Sequence, residues 1–206
     1  MLKPDLLTDD QENAIDRLFS FDHTLLVANM GSGKTIVALS AASELISYGV
    51  LKRILVIAPL KVCNTVWGQE AANWAHTAGL TVAIATGTDK QRRDALNSGA
   101  QITCINFENL AWLFKVYKSK GQFDGLIVDE LTKLKAVGGA AFKALRPRLN
   151  DFSWRVGMTG TPVSEDWTGL FGQMLVVDGG ARLGTRKDGY LRRFFFPTDY
   201  NEYNWE

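Results

Sequence analysis

ANMGSGKT, residues 28–35, is the stretch whose reading decides the fold. It follows the apolar run TLLVA (24–28) and opens a helical pattern over 34–48. A strand that turns through glycines into a helix lets successive backbone N–H groups converge on an anion. Gly31 and Gly33 supply the backbone freedom for that turn. The start of the helix adds its partial positive charge. Lys34 is placed to reach the β- and γ-phosphates of a nucleotide, and Thr35 to offer its hydroxyl to Mg²⁺. Asn29, Met30 and Ser32 complete the loop, and Ala28 stands at the position of its usual first glycine. The expected cofactors are therefore ATP and Mg²⁺.

Around this loop, short apolar runs alternate with helical patterns. The strand candidates are 24–28, 53–59, 81–85, 102–106, 125–129 and 154–159. Most are continuously apolar, as strands buried on both faces of a parallel sheet are. Helices are expected at 8–19, 34–48, 61–76, 89–98, 107–118, 139–149 and 165–177. The alternation implies a doubly wound α/β fold, a mostly parallel sheet with helices on both faces, and the phosphate loop within it is that of a P-loop NTPase. It stops after residue 162, so the expected organisation is one lobe over 1–177 and a glycine-rich, aromatic tail over 178–206.

A nucleotide site needs acids near the metal, and GLIVDELTKLK (125–135) supplies them. Asp129 and Glu130 end a strand, at the edge where open α/β sheets place their ligands. Asp129 is the candidate metal carboxylate, and Glu130 the candidate base that orients and deprotonates water. GMTGTPVSEDW (157–167) places Thr159, Gly160 and Thr161 just beyond another strand, where their hydroxyls and backbone can sense the γ-phosphate.

The totals exclude several classes. An apolar fraction of 46% and a charged fraction of 22% suit a globular core and not a disordered chain. Cys63 and Cys104 make no disulfide framework, and no Cys/His cluster has zinc spacing. The N-terminus has no apolar leader and no run is long enough for a bilayer, so no membrane is expected. The expected setting is the reducing cytoplasm, that of the host if the chain is phage-encoded. A net charge of +1 means that any nucleic-acid surface is local or shared with another piece.

The motifs together resemble the N-terminal, RecA-like lobe of superfamily-2 helicases, in the Snf2-like branch. ANMGSGKT looks like motif I, APLKVCNTVW (58–67) is similar to motif Ia, DELTKLK (129–135) stands at motif II and TGTP (159–162) at motif III. INFENL (105–110) resembles a segment that such proteins set against DNA. Gln11 sits where they keep an adenine-reading glutamine, and 166–195 is similar to the segment after motif III in compact, phage-type members. The resemblance implies an ATP hydrolase that translocates on double-stranded DNA, with single-stranded DNA as the alternative. It implies phosphate contacts near Lys61, Thr65, Thr86, Gly87, Asn106 and Glu108, since hydroxyls, amides and a few lysines hold phosphates without reading sequence. It also implies a second RecA-like lobe, which supplies the remaining motifs and an arginine, so this chain alone is expected to be weakly active or inactive. Leu131 and Thr132 depart from the usual motif II, which bears on how motif II couples to motif III.

His23 and His76 are isolated and read as structural, and Trp67 and Trp74 as packing residues of one helix. Phe194, Phe195, Phe196, Tyr200, Tyr203 and Trp205 are too many aromatics for a free tail. Rival readings are a packaging-terminase ATPase, a phosphoryl-transfer kinase and a non-catalytic nucleotide-dependent binding module. TGTP and Gln11 favour the helicase-like lobe over the terminase, and no arginine-bearing lid supports a kinase.

Overall fold

The computed structural model describes residues 1–117, 121–163, 167–199 and 205. Within them the chain runs α1 (Asp9–Ser20), β1 (His23–Val27), α2 (Lys34–Ser47), β2 (Ile54–Ala58), α3 (Leu60–Thr65), α4 (Trp67–Asn73), β3 (Val82–Ile84) and α5 (Asp89–Asn97). It continues through β4 (Ile102–Asn106), α6 (Leu110–Val116), β5 (Gly125–Asp129), α7 (Ala140–Leu145), β6 (Trp154–Thr159), α8 (Leu170–Asp178) and α9 (Lys187–Phe194).

The strands form one sheet in the order β1-β6-β5-β2-β4-β3, with every pair parallel. β2 and β4 are buried at every position, and the continuous apolar runs follow from that two-sided burial. One face packs against α1 to α4, with Leu18, Ile36, Leu39 and Trp67 fully covered. The other face packs against α5 to α8, through Leu110, Phe142 and Phe171, and receives Tyr190 of α9. The α/β sheet with helices on both faces is as the alternation implied.

Four helices differ from expectation. The stretch 61–76 is two helices joined at Val66, not one. Thr65 Oγ1 donates back to the Lys61 carbonyl at 2.8 Å, a bond that bends helices, and the β-branched Val66 follows it. Pro147 converts the end of 139–149 into a 3₁₀ stretch, Arg146–Asp151. The expected helix over 107–118 begins as a 3₁₀ turn, Phe107–Asn109, and its last residue lies outside the described residues. The one expected at 165–177 begins at Leu170 after a 3₁₀ turn, Trp167–Gly169, and residues 165 and 166 lie outside the described residues.

The described part of the tail, 178–199, folds against the lobe. Gly179 takes the left-handed conformation that ends α8, and Asp178 Oδ1 accepts the Gly180 and Ala181 N–H groups. This turn returns the chain to α9, whose Tyr190 packs 5.6 Å from the Phe171 ring and donates its hydroxyl to the Trp167 carbonyl at 2.9 Å. Phe195 packs on the core while Phe194 and Phe196 stay exposed. Tyr200 and Tyr203 lie outside the described residues. His76 Nε2 shares a 2.6 Å hydrogen bond with Ser40 Oγ, and His23 Nε2 accepts from Arg155 at 3.0 Å, so both histidines hold the fold.

Candidate nucleotide site

Because every strand is parallel, the loops after β1, β2, β3, β4, β5 and β6 all leave the same edge of the sheet. The register makes this concrete. Val27 pairs with Thr159, Met158 with Asp129, and Ala58 with Asn106. The Ala28 N–H donates to the Thr159 carbonyl at 3.1 Å, so the phosphate loop starts attached to β6.

Gly31 and Gly33 both have positive φ, 77° and 82°. At Gly33 space matters as well, because an added Cβ would stand 2.3 Å from Gln11 Nε2. Gly33 caps α2, whose first N–H groups point into the loop. Lys34 Nζ donates to the carbonyls of Ala28 at 2.7 Å and Asn29 at 2.8 Å, which centres its ammonium on the loop. Thr35 is half-buried on the first turn of α2, and Met30 is almost fully exposed.

Gln11 reaches this loop from α1. It completes a capping box with Thr8, and its Nε2 donates to the Ser32 carbonyl at 2.9 Å. A cleft of about 390 Å³ lies between the two segments, with Thr8, Gln11, Ala14, Leu26, Ser32 and Lys34 among its walls. Its mixed apolar and polar lining suits a flat heterocycle beside a phosphate loop.

Asp129 ends β5, and burial pushes its carboxyl above the usual range, against the hydrogen bond from Trp67. Trp67 Nε1 donates to Asp129 Oδ2 at 3.3 Å. Glu130 follows with φ 67°, the one non-glycine residue with positive φ among the described residues. Such a conformation costs about 1–3 kcal/mol and gathers at functional sites. It turns the exposed Glu130 carboxylate out of the sheet, where Oε1 accepts the Thr132 hydroxyl at 3.1 Å. Leu131 is fully buried and lies over Gly157 of β6. The departure from the usual motif II is therefore an apolar contact between the β5 turn and the strand that ends in Thr159.

Two hydroxyls at this edge, Ser32 Oγ and Thr159 Oγ1, are buried without a hydrogen-bond partner among the described residues. A polar ligand at this edge would satisfy them. Gly160 approaches Ala28, Thr161 is exposed, and Gln173 of α8 donates to the Pro162 carbonyl at 2.6 Å, so the threonine loop is held at both ends. Among the described residues no three His, Cys, Asp or Glu side chains form a metal cage. Mg²⁺ needs none, because it is held by one or two protein oxygens together with phosphates. The donor set of Thr35 hydroxyl, Asp129 carboxylate and glycine-loop amides fits Mg²⁺–ATP.

The candidate DNA-contact residues occupy the same edge, further along it. Lys61 and Thr65 are exposed on α3. Thr86 donates to Asn64 Oδ1 at 2.8 Å, tying the loop of Gly87 to α3. Asn106 is buried, and its amide donates to Glu108 Oε2 at 2.6 Å while its oxygen accepts from Asn109. Glu108 is exposed and its carboxyl is held below the usual range by its own backbone N–H and by Asn106. Asn106 thus shapes the loop, and Glu108 presents it. Sequence reasoning passed over Asn64, and it took Trp67 for packing alone. Only the juxtaposition of α4 and β5 reveals the indole donor.

Comparisons with known proteins bear on the family and the fold. A family model described as the SNF2-related domain matches residues 11–180. Protein p41 of Acyrthosiphon pisum secondary endosymbiont phage 1 is 34% identical over 192 residues, covering 90% of this chain and 42% of p41. The mouse DNA excision repair protein ERCC-6-like is 28% identical over 171 residues, covering 79% of this chain and 13% of that protein. The Sulfolobus solfataricus SWI2/SNF2 ATPase core in complex with dsDNA superposes with a TM-score of 0.78 at 21% identity, covering 91% of this chain and 38% of that one. The fold is thus that of a RecA-like ATPase core, and the chain spans less than half the length of these proteins. No helix of the described residues is long and apolar enough to cross a membrane.

Proposed function

Because the chain belongs to the SNF2-related domain family, we propose that it is the ATP-binding lobe of a DNA-dependent ATPase. Residues 1–177 would form that lobe, and 178–206 would lead toward a second RecA-like lobe. Paired with that lobe it hydrolyses ATP to ADP and phosphate and moves along double-stranded DNA. The observation that carries this reading is the convergence at one sheet edge of the phosphate loop, Asp129–Glu130 and Thr159, with the Ser32 and Thr159 hydroxyls among them unpaired.

When bound, Mg²⁺–ATP supplies the γ-phosphoryl group and the metal charge that eases its transfer to water. Residues 29–35 cradle the phosphates through backbone N–H groups, and Lys34 places its charge beside them. Thr35 and Asp129 would hold the metal. Glu130, turned outward by its left-handed backbone, orients the attacking water and takes its proton. Thr159, Gly160 and Thr161 sense the γ-phosphate and pass its state along the loop that Gln173 anchors. Gln11 reads the base from the cleft beside Ser32. Lys61, Thr65, Thr86, Gly87, Asn106 and Glu108 form this lobe's share of the DNA track. The dsDNA named for the Sulfolobus core supports duplex DNA as the partner. A cytoplasmic setting suits this reading.

Mg²⁺–ATP turnover by the chain, with and without duplex DNA and beside Lys34→Ala, tests the proposal. Binding of Mg²⁺–ATP that the variant loses, with slow turnover that DNA barely changes, is expected of one lobe. Strong DNA-stimulated turnover would overturn the need for a second lobe. Failure of the unmodified chain to bind Mg²⁺–ATP would overturn the assignment itself.

A further inference from the structure

Trp67 is fully buried, yet its one polar atom does not face the backbone. Nε1 donates to Asp129 Oδ2 at 3.3 Å, across 62 positions of sequence. The other tryptophan of this region behaves differently. Trp74, just after α4, donates to Glu70 Oε1 at 3.0 Å, an ordinary contact between adjacent turns. Trp67 is also the first residue after the break at Val66, so the bend between α3 and α4 is what aims its indole at β5. The next strand level supports the same edge, because Cys63 Sγ donates to the Ala58 carbonyl at the end of β2.

We propose that Trp67 is a positioning residue for the metal-holding carboxylate of Asp129. The inference rests on the nucleotide-site reading above. Asp129 has two oxygens, and a metal needs one of them presented with its lone pair toward the phosphate loop. An indole N–H on Oδ2 takes one lone pair and, together with the Glu130 backbone N–H that also donates to this carboxylate, fixes its rotation, so that a remaining lone pair would be held toward a metal. Groups that orient metal ligands in this way are worth roughly 10–100-fold in metal affinity. The indole is rigid and sealed in the core, so the orientation is set before any ligand arrives.

The test measures Mg²⁺ affinity of the ADP-bound chain by calorimetry for the unmodified protein, Trp67→Phe and Trp74→Phe. Phenylalanine keeps most of the packing and removes the donor. Trp67→Phe is expected to bind Mg²⁺ about tenfold more weakly and to bind ADP without Mg²⁺ as before, while Trp74→Phe leaves both unchanged. Equal Mg²⁺ affinity in Trp67→Phe, or an equal loss in Trp74→Phe, would overturn the inference. The unmodified chain gives a second readout that does not depend on a variant folding. The ¹⁵N-indole resonance of Trp67 should move when Mg²⁺ is added to the ADP-bound protein, and a resonance that stays in place would count against the proposal. If the unmodified chain binds no Mg²⁺–ADP at all, the nucleotide reading fails with it; if it binds and only the Trp67 comparisons fail, the nucleotide reading stands.

Discussion

Replacing Gly157 by alanine tests whether the turn after Asp129–Glu130 and the strand ending in Thr159 are locked by apolar packing. The added Cβ would stand 2.5 Å from Leu131 Cδ2 and 2.9 Å from Val177 Cγ2. Leu131 is 0% exposed and Val177 1%, so neither has free space to retreat into. Overpacking of this kind costs about 1–3 kcal/mol. Leu131→Ala alone removes buried methyl groups and should cost about 2–5 kcal/mol. In the double variant the nearer obstruction is gone and the new Cβ fills part of the hole, while Val177 still crowds it. The double variant should therefore be more stable than the sum of the single losses by about 0.5–3 kcal/mol. Urea unfolding reads this directly. With a slope of about 2 kcal/mol/M, a 2 kcal/mol loss moves the midpoint by about 1 M. An unchanged midpoint for Gly157→Ala, or a double variant that equals the sum of the singles, would refute the locking argument. The same contact is where the chain departs from the usual motif II, so the double variant also restores a less bulky turn there for activity comparisons.

Cys63 and Cys104 are fully buried, and burial raises both thiols, that of Cys63 to about 12. At pH 8 the folded chain should react with a thiol reagent far more slowly than the urea-unfolded chain, whose thiols ionise near 8.5; comparable labelling rates would contradict the packing of α3 and of the centre of β4. His23 and His76 both have their pKa held below the ordinary 6.5, mainly by burial, with Arg155 adding to the effect at His23. The unfolded chain then binds more protons than the folded one in the window between the folded values and 6.5, so stability is present above 6.5 and is lost as pH falls through the folded values. Unfolding midpoints at pH 7.5 and at pH 5.5 should differ in that direction, and His76→Asn should flatten the dependence; a midpoint that rises on acidification would contradict the assignment.

Much of the candidate site was legible because its chemistry is local in sequence. The phosphate loop is eight consecutive residues between a strand and a helix, and backbone conformation at Gly31 and Gly33 is encoded where it is used. Asp129 and Glu130 follow directly on an apolar run, and a strand buried on both faces can end in charge only at a sheet edge. The left-handed backbone of Glu130 was not legible. No glycine marks it, and in the structure it accompanies the packing of Leu131 over Gly157.

The sequence by itself determined the alternation of strands and helices, their parallel pairing and the membership of the phosphate loop, because these follow from periodicity, burial and short-range backbone geometry. Only the tertiary structure decided the strand order β1-β6-β5-β2-β4-β3, which brings Thr159 between the phosphate loop and Asp129. It also decided that Gln11 lies against Ser32, that α3 and α4 break so Trp67 meets Asp129, and that Tyr190 returns α9 to Trp167. Those contacts join residues 21, 62 and 23 positions apart. Their pairing depends on which surfaces the whole core buries together, and no local pattern carries that information.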